Sequence, residues 1–193
     1  MAYDPHKHHR RSIRLKGYDY SQAGAYFVTI CINYGQCRLG EVRDGIMYPS
    51  SAGIMVAACW FALLERFPNI DLDVFTLMPN HVHGIIVIME TGLNAKNHPI
   101  LLGNMVGAFK SISTNEYIDG VHELGWEPFH KRLWQRDFYD RIIRNERELE
   151  AIRAYIINNP ANWVEDKLHP NAAPNAFKKL WKRPFDNRPQ NDL

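Results

Sequence analysis

Two histidines stand one residue apart in MPNHVHGIIVI (78–88), at the mouth of an apolar run. That run follows Pro79-Asn80 and is rich in isoleucine and valine, so it reads as a buried strand. Side chains on a strand alternate between faces, which puts His81 and His83 on one face and Val82 on the other. Two imidazoles so placed can chelate one metal ion, or can be hydrogen-bonded histidines in a polar corner of the core. His-x-His alone does not choose between these. A metal site needs at least a third protein group, and an open position if it is to be catalytic.

A second set of chemistry-bearing residues lies in AIRAYIINNP (151–160). Tyr155 and Asn159 are four residues apart, so on a helix they share a face. At about 100° per residue, Ile152 and Ile156 fall on the Asn159 side of Tyr155, as does Leu149, so the phenol and the amide flank the stripe that should meet a sheet. There they could complete the histidine site. The alternative is a half-buried aromatic and a helix C-cap before Pro160.

The elements that must position these groups follow from periodicity. AYFVTICIN (25–33) is β-branched and aromatic, hence a strand. Asp44-Gly45 lies between two short extended pieces and predicts a hairpin. Across 50–67 apolar residues recur at Ile54, Ala57, Ala58, Phe61 and Leu64, the spacing of a helix that Pro68 ends. DLDVFTLM (71–78) and HVHGIIVIM (81–89) form a tight antiparallel pair. Leu101 to about Ile118 is helical, with Met105, Ala108, Phe109 and Ile112 on one side and Lys110 on the other. A strand falls within 132–144, and Asn145 with Glu148 is a capping box that opens the last helix. This order predicts an α+β fold, a mostly antiparallel sheet with helices packed on it.

At 193 residues the chain has room for one domain, taken as 1–163, and a basic, Pro- and Asn-rich tail at 164–193. No apolar run approaches the roughly 20 residues of a membrane span, and the N-terminus lacks a secretory h-region, so a cytoplasmic protein without membrane contact is expected. The three cysteines include no CxxC pair, which argues against a disulfide framework or a zinc ribbon. Lys7, Arg10, Arg11, Arg14 and Lys16 form an acid-free run. A second cluster, Lys178, Lys179, Lys182 and Arg183, is interleaved with Phe177, Trp181 and Phe185. Such ends could hold nucleic acid or be solvated charge.

Taken together, HVH (81–83), YIINNP (155–160) and WQRDFYDRIIRNERELEAIRAYI (134–156) resemble the single-tyrosine HUH transposases, most closely the REP-associated tyrosine transposase branch. HHRRSIRLKGYDYSQAGAYFVTICI (8–32), LMPNHVHGIIVI (77–88) and FKSIST (109–114) extend the resemblance over about residues 8 to 163. The resemblance implies the ferredoxin-like HUH fold, a divalent ion, magnesium or manganese, on His81, His83 and Asn159, and Tyr155 as nucleophile. It further implies cleavage and rejoining of single-stranded or hairpin-forming repeat DNA through a 5′-phosphotyrosine link, by a monomer or homodimer.

Imidazole alone would favour a softer metal, so the residues leave the ion open. Tyr139 is a rival nucleophile without a polar partner at i+4, and Asp140 a candidate general base. The basic candidates for holding DNA are the Lys7 to Lys16 run, Lys110, Arg136, Arg141, Arg144 and Arg147. A DNA-binding module that does not cleave and a small metal-dependent phosphoesterase are the alternative readings.

Overall fold

In a computed structural model, residues 17–89 and 99–172 are described. Four strands, β1 (Gly24–Cys31), β4 (Ile70–Met78), β5 (His81–Ile88) and β6 (Tyr139–Ile143), form an antiparallel sheet in the order β4-β5-β1-β6. This is the ferredoxin-like order, with helices α1 (Ser51–Phe61) and α3 (Leu102–Leu124) in the two crossovers. Between β1 and α1 a separate hairpin pairs β2 (Gly40–Arg43) with β3 (Ile46–Pro49). Asp44 and Gly45, at φ 51° and 75°, make the turn between them. A short α2 (Leu63–Arg66) follows α1, and α4 (Glu146–Ile157) follows β6.

Strand alternation divides the core in two. Tyr26, Val28, Ile30, Val82, Ile86 and Ile88 belong to the large cluster that includes α1 and α3 residues. Phe27 and Ile85, on the other face, pack against Ile152 and Ile156 of α4. Burying each isoleucine is worth about 1.5–3 kcal/mol, enough to dock this short helix in one orientation. Polar ties fix its ends: Asn145 Oδ1 accepts from Glu148 N at 2.9 Å, and Thr76 Oγ1 of β4 donates to the Ile156 carbonyl at 2.8 Å. Arg153 reaches across to Asp73, at the irregularity in β4 between Leu72 and Phe75.

The helix over 50–67 buries a different face from the one its spacing suggests. Ala52, Gly53, Val56, Cys59, Trp60 and Leu63 are inside, whereas Ile54, Phe61 and Leu64 are exposed. The segment is apolar all round, so periodicity could not choose a face; close packing does. A Cβ on Gly53 would collide with the Leu39 carbonyl, and one on Gly84 of β5 would collide with the Trp60 ring. Only the glycine-and-tryptophan side can approach the sheet this closely.

Residues 164–172, where the sequence suggests the start of a tail, pack back onto the domain. A 3-10 turn at Pro160–Glu165 buries Trp163. Beyond it, Asn80 Nδ2 donates to the Leu168 carbonyl at 2.7 Å, and the His169 and Trp163 rings meet at 4.8 Å. The basic runs at 7–16 and 178–183 lie outside the described residues.

Candidate metal and tyrosine site

His81 opens β5 beside the end of β1, where Cys31 is its register partner; two residues on, His83 sits between Thr29 of β1 and Thr76 of β4. Both imidazoles are buried. Burial drives the proton off each ring: His83 is pushed down to about 3, and His81 well below the ordinary histidine range, by burial first and by the neighbouring His83 second. Two neutral imidazoles with lone pairs are what a metal ligand set requires.

The surrounding amide fixes one tautomer. Asn80 Nδ2 donates to the carbonyls of Gly35 and Leu168, at 3.1 and 2.7 Å, so Asn80 Oδ1 is an acceptor. His81 Nδ1 lies 2.8 Å from that oxygen and must carry the proton, which leaves the lone pair on Nε2. That Nε2 faces His83 Nε2 at 3.1 Å. The second ring is paired through Nδ1 with Thr29 Oγ1 at 2.8 Å, and a hydroxyl can donate or accept. Thr29 therefore lets His83 hold its proton on either nitrogen.

Helix α4 brings Tyr155 and Asn159 over this pair. The Tyr155 hydroxyl stands 3.5 Å from His83 Nε2, with the rings 5.3 Å apart, and Phe27 packs edge-on against Tyr155. Burial, and then the charge of Asp166, raise the phenol above its ordinary value, so it rests protonated. Asn159 is 2% exposed. It lies close enough to influence His81, Tyr155 and Asp166, yet its buried Oδ1 closes a well-formed hydrogen bond to none of them. A buried amide oxygen without a partner costs roughly 1–3 kcal/mol, a cost a cation at the site would remove.

No motif in the sequence points to the fourth group. Asp166 follows the 3-10 turn, accepts from Leu168 N at 2.6 Å, and lies half-buried at the histidines. One ligand atom from each of His81, His83 and Asp166 lies within 4.8 Å of the other two. Burial pushes its carboxyl above the ordinary carboxylate value. The donor set fits a divalent ion. Two ligands at about 2.1 Å from one ion stand roughly 3 Å apart when adjacent in an octahedron, near the observed nitrogen spacing. Two imidazole nitrogens with amide and carboxylate oxygens are donors that several divalent ions accept.

A cavity of about 290 Å³ opens beside this cluster, lined by Tyr155, Asn159, Asp166, Tyr139 and Arg141 among others. Arg141 is held by Glu148 of α4. Tyr139 faces the cavity opposite Thr29, while Tyr155 is the tyrosine whose hydroxyl approaches His83. Asp140 does not belong to the site. It pairs with Val28, whose side chain belongs to the α1 and α3 core, so Asp140 faces away from Tyr155. Lys110 also has a different place from the one its helix position suggests. Its ammonium donates to the carbonyls of Gln135, Arg136 and Asp137, at 2.8, 3.3 and 3.1 Å, and so pins that segment to α3. Arg136, Arg144 and Arg147 are exposed.

The antiparallel sheet with helices on both faces is an α+β fold that one solved transposase shares. The solved structure of a REP-associated tyrosine transposase bound to a REP hairpin superposes with a TM-score of 0.54 at 19% identity, covering 80% of this chain and 76% of that one. Within that fold, the chain belongs to one family with an uncharacterized protein of Haemophilus influenzae. The two are 36% identical over 179 residues, which is 84% of this chain and 94% of the relative. No family model matches the sequence.

Proposed function

We propose that this protein cuts and rejoins single DNA strands through a covalent 5′-phosphotyrosine on Tyr155, acting on single-stranded or hairpin-forming repeat DNA in the cytoplasm. The observation that carries the reading is the approach of one phenol to a buried pair of neutral imidazoles whose remaining neighbours, Asn159 and Asp166, offer oxygen ligands. A binding module has no use for that arrangement, and a hydrolase has no use for the phenol. The fold shared with a hairpin-bound transposase supports the choice of DNA.

His81, His83, Asn159 and Asp166 would hold a magnesium or manganese ion. When bound, that ion supplies Lewis acidity to a phosphate oxygen and to the leaving 3′ oxygen, and favours the phenolate. The chain's own groups do the rest. Thr29 and Asn80 hold the imidazoles through their Nδ1 atoms. Phe27 fixes the ring of Tyr155 edge-on, and Thr76 fixes the helix end that carries it. Tyr155 Oη gives its proton to water and bonds to phosphorus, the bond from phosphorus to the 3′ oxygen breaks, and that oxygen takes up a proton. The phosphodiester is conserved in the tyrosyl link, so another 3′-OH can reverse the step and join new ends without ATP.

The test is a denaturing gel with an end-labelled hairpin oligonucleotide and manganese. Wild-type protein should give a protein-linked label that Tyr155→Phe abolishes. Persistence of the adduct in that variant would remove Tyr155 from its role. Tight binding with no adduct would indicate a non-cleaving module, and free ends without adduct a phosphoesterase.

A further inference from the structure

Outside the tyrosine site, a groove of about 440 Å³ runs between α3 and the segment leading into β6. Lys131, Arg132 and Arg136 line it from one side and Ser111, Asn115 and Ile118 of α3 from the other. No carboxylate is among the lining residues, and the three cations, all exposed, form no ion pair among the described residues. Lys131 also holds a left-handed backbone, φ 61°, which a residue with a Cβ adopts at a cost.

The groove is built rather than incidental. Lys110 spends its charge on the carbonyls of 135–137 and so fixes the wall from which Arg136 projects. The same segment is sewn to β1: Asn33 N donates to the Leu133 carbonyl at 2.7 Å, Ile32 bridges Trp134, and Gln135 N donates to the Cys31 carbonyl at 2.9 Å. Cys31 is the register partner of His81, and Tyr139, three residues past Arg136, is that of Thr29. One continuous segment, 133–139, therefore leads from the groove on the α3 face to the cavity on the α4 face, around the outer edge of the sheet.

We propose that this groove is a second DNA contact. It holds the phosphodiester backbone of the part of the DNA that flanks the strand at Tyr155. The inference rests on the reading of the protein as DNA-binding. Exposed cations facing hydroxyl and amide donors across the groove match a run of phosphates, and the apolar Ile118 side chain among the lining suits sugars rather than free ions. Contacts of this kind set the position of the DNA on the protein and carry no sequence information of their own.

The experiment is fluorescence anisotropy with a labelled hairpin oligonucleotide bearing single-stranded flanks, titrated with the full chain at several salt concentrations. Replacing Lys131, Arg132 and Arg136 together by Ala should weaken binding and reduce the slope of log affinity against log salt by roughly 2 to 3, since each lost phosphate contact removes about 0.7–0.9. Lys131→Arg with Arg132→Lys and Arg136→Lys should keep the wild-type slope. An unchanged slope in the alanine variant overturns the proposal, even if affinity falls, because that loss would be structural. The two readings fail separately. Salt-dependent binding that loses slope in the variant, with no wild-type adduct on the gel, would remove strand transfer and leave the groove standing.

Discussion

His81 Nδ1 lies 2.8 Å from Asn80 Oδ1, and the two carbonyls that claim the Asn80 amide nitrogen leave that oxygen no role except acceptor. The neighbouring residue in the chain thus decides which nitrogen of His81 can bind a metal. In the metal-free protein, long-range ¹⁵N–¹H correlation should show His81 as the Nδ1-H tautomer. Asn80→Leu should scramble it and weaken manganese affinity by about 10–100-fold, the usual loss when the support of a ligand is removed. Asn80→Asp keeps the acceptor and should preserve the tautomer while releasing Leu168. A wild-type His81 protonated on Nε2 would contradict the arrangement.

Acid should destabilise the metal-free fold well above the range of ordinary carboxylate titration. Both imidazoles are held neutral in the folded chain, His83 down to about 3 and His81 well below 6.5, whereas in the unfolded chain each takes a proton near pH 6.5. Between about 6.5 and the folded values the unfolded state binds more protons. Stability is therefore lost as the pH is lowered through that window, by about 1.4 kcal/mol per pH unit for each imidazole, and levels off below it. Urea denaturation in chelator at pH 7.5, 6, 5 and 4 reads this directly. Equal stability at 7.5 and 5 would show the histidines to be protonated in the fold.

Asp166 should bear on the metal rather than on the fold. Its carboxylate is the charged oxygen beside the histidines, so Asp166→Ala should lower manganese affinity at least tenfold, with Asp166→Asn between it and wild type. Isothermal titration with manganese, alongside a thermal melt in chelator, separates the effects. A large drop in melting temperature with unchanged affinity would assign Asp166 to packing.

Gly84→Ala should destabilise the protein by about 1–3 kcal/mol, as overpacking in a tight core does. Its new methyl would meet the Trp60 ring, which is wholly buried and stacked on Phe75 at 5.2 Å. Chemical denaturation measures the change. Wild-type stability would mean that the tryptophan can withdraw from the sheet.

Much of this molecule is legible in its sequence because its elements have clear periods. Alternation in HVHGIIVI places both histidines on the face that α4 covers, and a four-residue spacing puts Tyr155 and Asn159 together. The hairpin at Asp44-Gly45 and the capping of α4 by Asn145 follow from backbone chemistry that local sequence determines. Legibility fails where a period is absent or ambiguous. Helix α1 is apolar on all sides, so its buried face depends on Gly53 and Trp60 meeting partners far away in the chain. Asp166 lies beyond the last helix on irregular backbone, where no repeat points inward. Lys110 looks like any surface cation on a helix, and only the fold brings three carbonyls to it.

The segment around Asp166 and Leu168 also sets the order in which the site comes into being. The histidines emerge from the ribosome early, with β5, and the tyrosine some seventy residues afterwards. The carboxylate and the carbonyl that steadies Asn80 come last of all. A nascent chain stalled at residue 160 would already carry the phenol and both imidazoles but lack the carboxylate, so the donor cluster would stay incomplete until the segment that holds Asp166 and Leu168 has been made.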